Sequence, residues 1–246
     1  RKKAMEPICR VRDHFTRQPI FRDLNNKPTA YFGVTDFTRP LNPKVIDDMA
    51  ECMADALALY EVDVLVSIAD RSGGSLTYAV AEKTGLPFSL ANWYPVGSPG
   101  EVEIGKCAGF SGTGVNYLNG LRKNKNVAVV TDILKSGKTA AELILGAQTA
   151  GCKVVAAVFG CEIVEAGGRD FLAEVLPVEK KGEAIEIATL VKVHMRGECT
   201  KAAKDDESFI VPTAAANVSS LPKSRVKELR ALGEDRTHHC LQRIAS

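Results

Sequence analysis

Five mostly apolar runs of strand length recur along the chain, at residues 62–69, 88–93, 127–131, 154–159 and 185–193. Runs apolar at successive positions read as strands buried on both faces. Between them, residues 76–83 read as a helix that stops at Thr84-Gly85, with Pro87 just beyond. A second helix follows Thr139, with Ala140, Leu143, Leu145 and Ala147 as its apolar positions and an end near Gly151. Strand–loop–helix–strand units of this length predict an α/β fold, a mostly parallel central sheet with helices on both faces. Such sheets take ligands at the carboxyl ends of their strands. Two glycine-bearing loops fall there, one at residues 70–74 and one at Ser136-Gly137.

The flanking segments read differently. Residues 43–60 predict an amphipathic helix that begins at Asn42-Pro43, with Val45, Ile46, Met49, Met53, Ala56 and Leu57 on one face. The glycine-rich stretch 97–120 predicts a hairpin or mobile flap beside the ligand edge of the sheet. From residue 197 the composition turns to Lys, Asp, Ser, Ala and Pro. The expected organisation is therefore one domain over 1–196, flap included, and a C-terminal appendage over 197–246. His238-His239-Cys240 lies in that appendage without partner ligands at metal spacing.

Composition removes several classes of function. With 45% hydrophobic residues and a net charge of +2, the chain can build a core and is no disordered polyelectrolyte. The 32 basic residues meet 30 acidic ones, which leaves no global positive field for nucleic acid. No apolar run approaches the ~18–20 residues that span a bilayer. Seven cysteines, odd in number and without a CxxC pair, predict reduced thiols and a cytoplasmic location.

The loop after the third run carries the most chemistry. A buried strand brings Asp132 to the sheet edge, and Ser136, Gly137, Lys138 and Thr139 then open a helix. Amides at a helix start, joined by two hydroxyls, form a cup for a phosphate dianion. Gly137 lets the backbone approach closely, and Asp132 is placed to accept hydrogen bonds from sugar hydroxyls. A nucleotide-triphosphate loop is the competing pattern, since Gly137-Lys138-Thr139 matches its end, but its first glycine would fall at Asp132. An ordinary strand–helix connection with capping hydroxyls is the plain alternative.

Residues 127–139 (VAVVTDILKSGKT) resemble the phosphoribosyl-pyrophosphate (PRPP) motif of type I phosphoribosyltransferases. Residues 62–73, with Asp70, Arg71, Ser72 and Gly73 at the turn, resemble that family's pyrophosphate loop. Residues 91–95 (ANWYP) and 116–121 (NYLNGL) are similar to an archaeal purine branch, with Asn92 in place of its arginine. Residues 161–169, carrying Glu162, Glu165 and Arg169, look instead like a stretch of adenine phosphoribosyltransferases. Two departures stand in the PRPP motif. Thr131 replaces the first residue of its acidic pair, and Lys135 occupies a position usually small or acidic.

The resemblance implies a purine-salvage enzyme that transfers 5-phosphoribosyl from PRPP to a purine, with adenine favoured. Asp132, Lys135, Ser136, Gly137, Lys138 and Thr139 would hold the 5-phosphate and ribose. Asp70, Arg71, Ser72 and Gly73 would hold pyrophosphate. Asp132, Arg71 and Glu103 are the candidate catalytic groups, with Glu101 beside Glu103 as a proton carrier, and Trp93, Tyr94 and Phe110 the candidate base pocket. Mg²⁺ would be bound mainly through PRPP, with no separate protein metal site. A homodimer is the expected assembly, with no nucleic-acid or membrane partner. The alternatives are a hypoxanthine/guanine phosphoribosyltransferase, a transferase for a non-purine base such as orotate, and a non-catalytic PRPP-binding regulatory domain, the last motivated by Thr131 and Lys135.

Overall fold

A computed structural model describes the chain over residues 6–109, 112–176 and 185–203. Helix α1 (Pro7–Phe15) is followed by a small antiparallel pair, β1 (Ile20–Arg22) and β2 (Pro28–Ala30), the one-turn helix α2 (Gly33–Asp36) and α3 (Pro43–Leu57). Then come β3 (Val64–Ile68), α4 (Gly73–Thr84), β4 (Phe88–Ala91), the pair β5 (Val102–Gly109) and β6 (Gly112–Leu118), and β7 (Asn126–Leu134). The order closes with α5 (Lys138–Thr149), β8 (Lys153–Ile163), α6 (Gly168–Val175), β9 (Glu186–His194) and β10 (Lys201–Ala202).

The central sheet has the order β10-β9-β8-β7-β3-β4 among the described residues. Its pairs are parallel except β10 against β9. Chain order reverses between β3 and β7, so their carboxyl ends frame the crevice where open α/β sheets bind ligands.

Strand β7 shows why the sheet is covered twice. Ala128 and Val130 pack toward α3 and α4, beside Met49, Met53, Leu76 and Val80. Val127 and Val129 pack toward α5 and α6, beside Leu143, Ile144, Ala147 and Leu172. The period of two sends alternate side chains into two separate cores. Helix α3 starts as its sequence requires: Pro43 fills the first turn and Asn42 Oδ1 accepts the Lys44 amide at 3.0 Å. Helix α4 ends at Gly85, which takes the left-handed φ of 72°.

The two ends of the described chain are knitted together. The Gln18 amide donates to Thr200 Oγ1 at 2.9 Å, and that hydroxyl donates to the Phe15 carbonyl at 2.9 Å. Arg17 and Thr200 exchange further backbone bonds with this stretch, and Pro19 pairs with Cys199. Residues 197–203, set with the appendage on composition, thus return to the sheet as its edge. Residues 204–246, and the His238-His239-Cys240 tract with them, lie outside the described residues.

Cys52, Cys152, Cys161 and Cys199 are free thiols, whereas Cys9 is disulfide-bonded, so the expectation of thiols throughout does not hold for Cys9. No helix among the described residues is long and apolar enough to cross a membrane.

Candidate active site

The first loop leaves β3 at Ile68 and enters α4 at Gly73. Asp70 Oδ1 accepts the Gly73 amide at 2.6 Å, which folds the turn back on itself. A Cβ at Gly73 would lie 2.5 Å from the Ile68 carbonyl oxygen and 2.8 Å from Asp70 Oδ1, so this turn admits only glycine. Ser72 is buried and Arg71 is exposed at the rim. Arg71 Nη1 donates to the Asp36 carbonyl at 3.3 Å.

The second loop leaves β7 at Leu134. The strand runs three residues past its expected end at Thr131, so Asp132 sits within it, and is 6% exposed. Lys135 and Ser136 are exposed. Gly137 takes φ 76°, and a Cβ there would meet the Gly168 carbonyl oxygen at 2.6 Å, so both conformation and contact demand glycine. No side chain caps α5, which leaves the amides of its first turn open to an anion.

Adjacent strands deliver these loops, so the cups stand roughly one strand spacing, ~4.8 Å, apart at their roots. Arg71 and Ser136 thus share one rim of the sheet. The groups between them interact. Burial pushes the Asp132 carboxyl up, opposed by the nearby hydroxyls of Thr35 and Ser72. Those hydroxyls still leave Asp132 Oδ2 without a hydrogen-bond partner, as are the buried hydroxyls of Thr35 and Thr131. Asp70 is exposed on its outer side, but loss of hydration at the carboxyl, with the charge of Asp132, pushes it up to about 6. Such shifts mark carboxylates crowded at a functional rim.

Sequence reasoning missed the N-terminal contribution. Asp36, 9% exposed, accepts the Phe32 amide on Oδ2 at 2.7 Å. Burial raises its pKa, as does Asp132, while Lys135 and Arg71 pull it down. Lys135 Nζ reaches Thr29 Oγ1 at 3.5 Å. The one-turn helix α2 is braced from behind by His14, whose Nε2 accepts the Val34 amide at 3.2 Å and whose pKa burial lowers. No motif announces Thr29, Thr35 or Asp36. They lie about a hundred residues from Asp132, and the only local signal is a Thr-Asp pair between two aromatic residues.

Other expected site residues stand apart from this cluster. Glu103 is exposed on β5, and no hydrogen bond or ion pair joins it to Asp132 or Arg71. Trp93 and Tyr94 are exposed just beyond β4, on the side of the rim nearer the 70–73 turn, with ring centroids 6.3 Å apart. Phe110 lies outside the described residues. Glu101 spends its carboxylate on the Val96 and Gly97 amides at 2.8 and 2.5 Å, and Asn119 adds a third donor. It latches the 92–101 loop to the base of the β5–β6 pair. Glu162 binds Arg169 at 2.6 Å and receives Thr189 Oγ1 at 3.3 Å. It braces β8, α6 and β9.

Comparison with known proteins agrees with this geometry. No family model matches the chain. It is similar to the hypoxanthine/guanine phosphoribosyltransferase of Methanobrevibacter ruminantium, 30% identical over 182 residues, covering 71% of this chain and 91% of that one. A second relative of that name, from Methanothermus fervidus, is 31% identical over 163 residues, 65% of this chain and 79% of that one. The crystal structure of adenine phosphoribosyltransferase from Thermoanaerobacter pseudethanolicus superposes with a TM-score of 0.55 at 19% identity, covering 75% of this chain and 99% of that chain, and shows the shared fold. On the sequence relatives, the shared fold and the paired loops, the chain belongs to the purine phosphoribosyltransferases of the type I fold.

Proposed function

We propose that the chain transfers the 5-phosphoribosyl group of PRPP to a 6-oxopurine, hypoxanthine or guanine, releasing pyrophosphate. The observation that carries the reading is the pairing of the two cups on neighbouring strands, with buried Asp132 between them. The base assignment rests on the names of the sequence relatives. It takes up the alternative rather than the favoured adenine; the resemblance that favoured adenine lies in the stretch around Glu162, whose carboxylate here binds Arg169 and Thr189.

In this reading the open amides of α5, with Ser136 and Thr139, hold the 5-phosphate. Asp132 accepts a ribose hydroxyl. Arg71 and the amides of the Asp70–Gly73 turn take the pyrophosphate, an arrangement suited to charge that grows on the leaving group. Fixing both ends of one substrate also supplies the positioning part of the rate. Mg²⁺ bound to PRPP would neutralise diphosphate charge. Asp36, Asp70 and Asp132 are carboxylates that can face it, although no three metal-ligating side chains among the described residues stand close enough to hold an ion by themselves. A cytoplasmic homodimer completes the proposal.

A base panel tests it: adenine, hypoxanthine, guanine, xanthine and orotate, each with PRPP and Mg²⁺. Hypoxanthine or guanine should turn over at least about tenfold faster than adenine, a difference of one good polar contact. Preference for adenine would reverse the base assignment. PRPP binding without turnover on any base would leave only a regulatory domain.

A further inference from the structure

A ribose presents two neighbouring hydroxyls, and each seeks an acceptor. Strand β7 offers one carboxylate for them, Asp132. The residue before it, Thr131, brings a buried hydroxyl in place of a second carboxylate. Asp70 is folded onto its own turn through the Gly73 amide. Beside β7 the N-terminal segment adds a further acid. Asp36 uses Oδ2 on the Phe32 amide, and Oδ1 takes no hydrogen bond among the described residues. Its carbonyl holds Arg71, helix α2 packs against β7, and the charge of Asp132 is felt at Asp36.

The segment that carries Asp36 is set in place rather than loosely draped. His14 holds the Val34 amide from one side. On the other, Phe37 adopts the left-handed φ of 49°, which a bulky residue takes only when its surroundings impose it. A turn held this way presents its carboxylate in a fixed position, and a preorganised acceptor binds without first being ordered.

We propose that Asp36, delivered from the N-terminal segment, is the second carboxylate of the sugar subsite and accepts a ribose hydroxyl opposite Asp132. The assignment rests on the reading of this cleft as a PRPP site. It takes over the part that an acid at position 131 would otherwise play. The plainer role, a cap for α2 through Oδ2, makes a different prediction, because a cap does not distinguish one sugar phosphate from another.

The test is calorimetric titration of the full chain with three probes: ribose 5-phosphate, 2-deoxyribose 5-phosphate and inorganic pyrophosphate. Asp36→Asn keeps an oxygen for the Phe32 amide and removes the charge. It should weaken ribose 5-phosphate by about tenfold, the worth of one charge-assisted hydrogen bond. It should also shrink the preference for ribose over 2-deoxyribose and leave pyrophosphate within about twofold. Equal weakening of all three probes, or ribose 5-phosphate binding unchanged by Asp36→Asn, would overturn the assignment while the PRPP reading stands. Wild-type protein that binds none of the probes would remove that reading, and this assignment with it.

Discussion

The amide of Gly105 donates to Glu142 Oε2 over 3.0 Å, and this bond joins the β5–β6 pair to α5, the helix that opens at Gly137. It falls at the bulge between Ile104 and Lys106. A Cβ on Gly105 would lie 2.4 Å from that same carboxylate oxygen. One turn further along α5, a Cβ on Gly146 would lie 2.1 Å from Ile104 Cγ2. The base of the pair is therefore seated on α5.

Gly105→Ala should cost about 2 kcal/mol in chemical denaturation, because the carboxylate must move and the bond is lost. The obstacle is a side chain, so the cost should fall by about 1 kcal/mol in a Glu142→Ala background. Equal costs in both backgrounds would show that backbone, not Glu142, resists the methyl group.

Asp132→Asn separates function from stability. Loss of the charge should raise the PRPP dissociation constant by about tenfold. The buried carboxyl has its pKa raised in the folded state, so it lowers stability once pH rises past its ordinary value of 3.8 toward the folded value. The variant should accordingly melt at or above the wild-type temperature at pH 7, and the difference should shrink toward pH 4. Thermal melts across that range check the sign.

Asp70 titrates at about 6 against an ordinary 3.8, so the folded protein keeps this proton longer than the unfolded chain and loses stability as pH rises through that window. The same deprotonation adds negative charge to the turn assigned to pyrophosphate. Metal-free pyrophosphate binding should weaken between pH 5 and pH 7 more in wild type than in Asp70→Asn, which still offers an oxygen to the Gly73 amide. Parallel pH profiles would place Asp70 outside the anion's field.

Glu162→Gln should lower stability by about 2 kcal/mol, since Arg169 loses its charged partner beside a nearly buried carboxylate. The ratio of hypoxanthine to adenine turnover should stay the same. A changed ratio would return Glu162 to the base pocket.

Much of the sheet was legible because buried parallel strands announce themselves by continuous apolar runs. The strand expected over 62–69 is Val64–Ile68, and the helix expected over 43–60 is Pro43–Leu57. Strand β7 extends to Leu134, beyond the expected 131, because Asp132 is tolerated inside a strand when its neighbours Thr35 and Ser72 come from elsewhere. Helices α1 and α2 were not anticipated. Helix α1 is short and held by Arg10 on Asp48 at 2.6 Å, and α2 is a single turn held by His14 and by Asp36 itself. Both owe their form to distant partners rather than to local periodicity. The two loops of the site could be read from residues 70–73 and 132–139 because each is contiguous. Asp36 could not, because its place is fixed only by the folded N-terminal segment.

The bonds between Thr200 and the Phe15–Gln18 stretch form a clasp. A chain cut short of residue 198 would lose this clasp, yet α1 would keep its ion pair with Asp48 and α2 its bond from His14. The clasp thus fastens the stretch between α1 and β1 to the sheet edge, a seam that proteolysis of residues 198–203 would open without cutting either loop of the site.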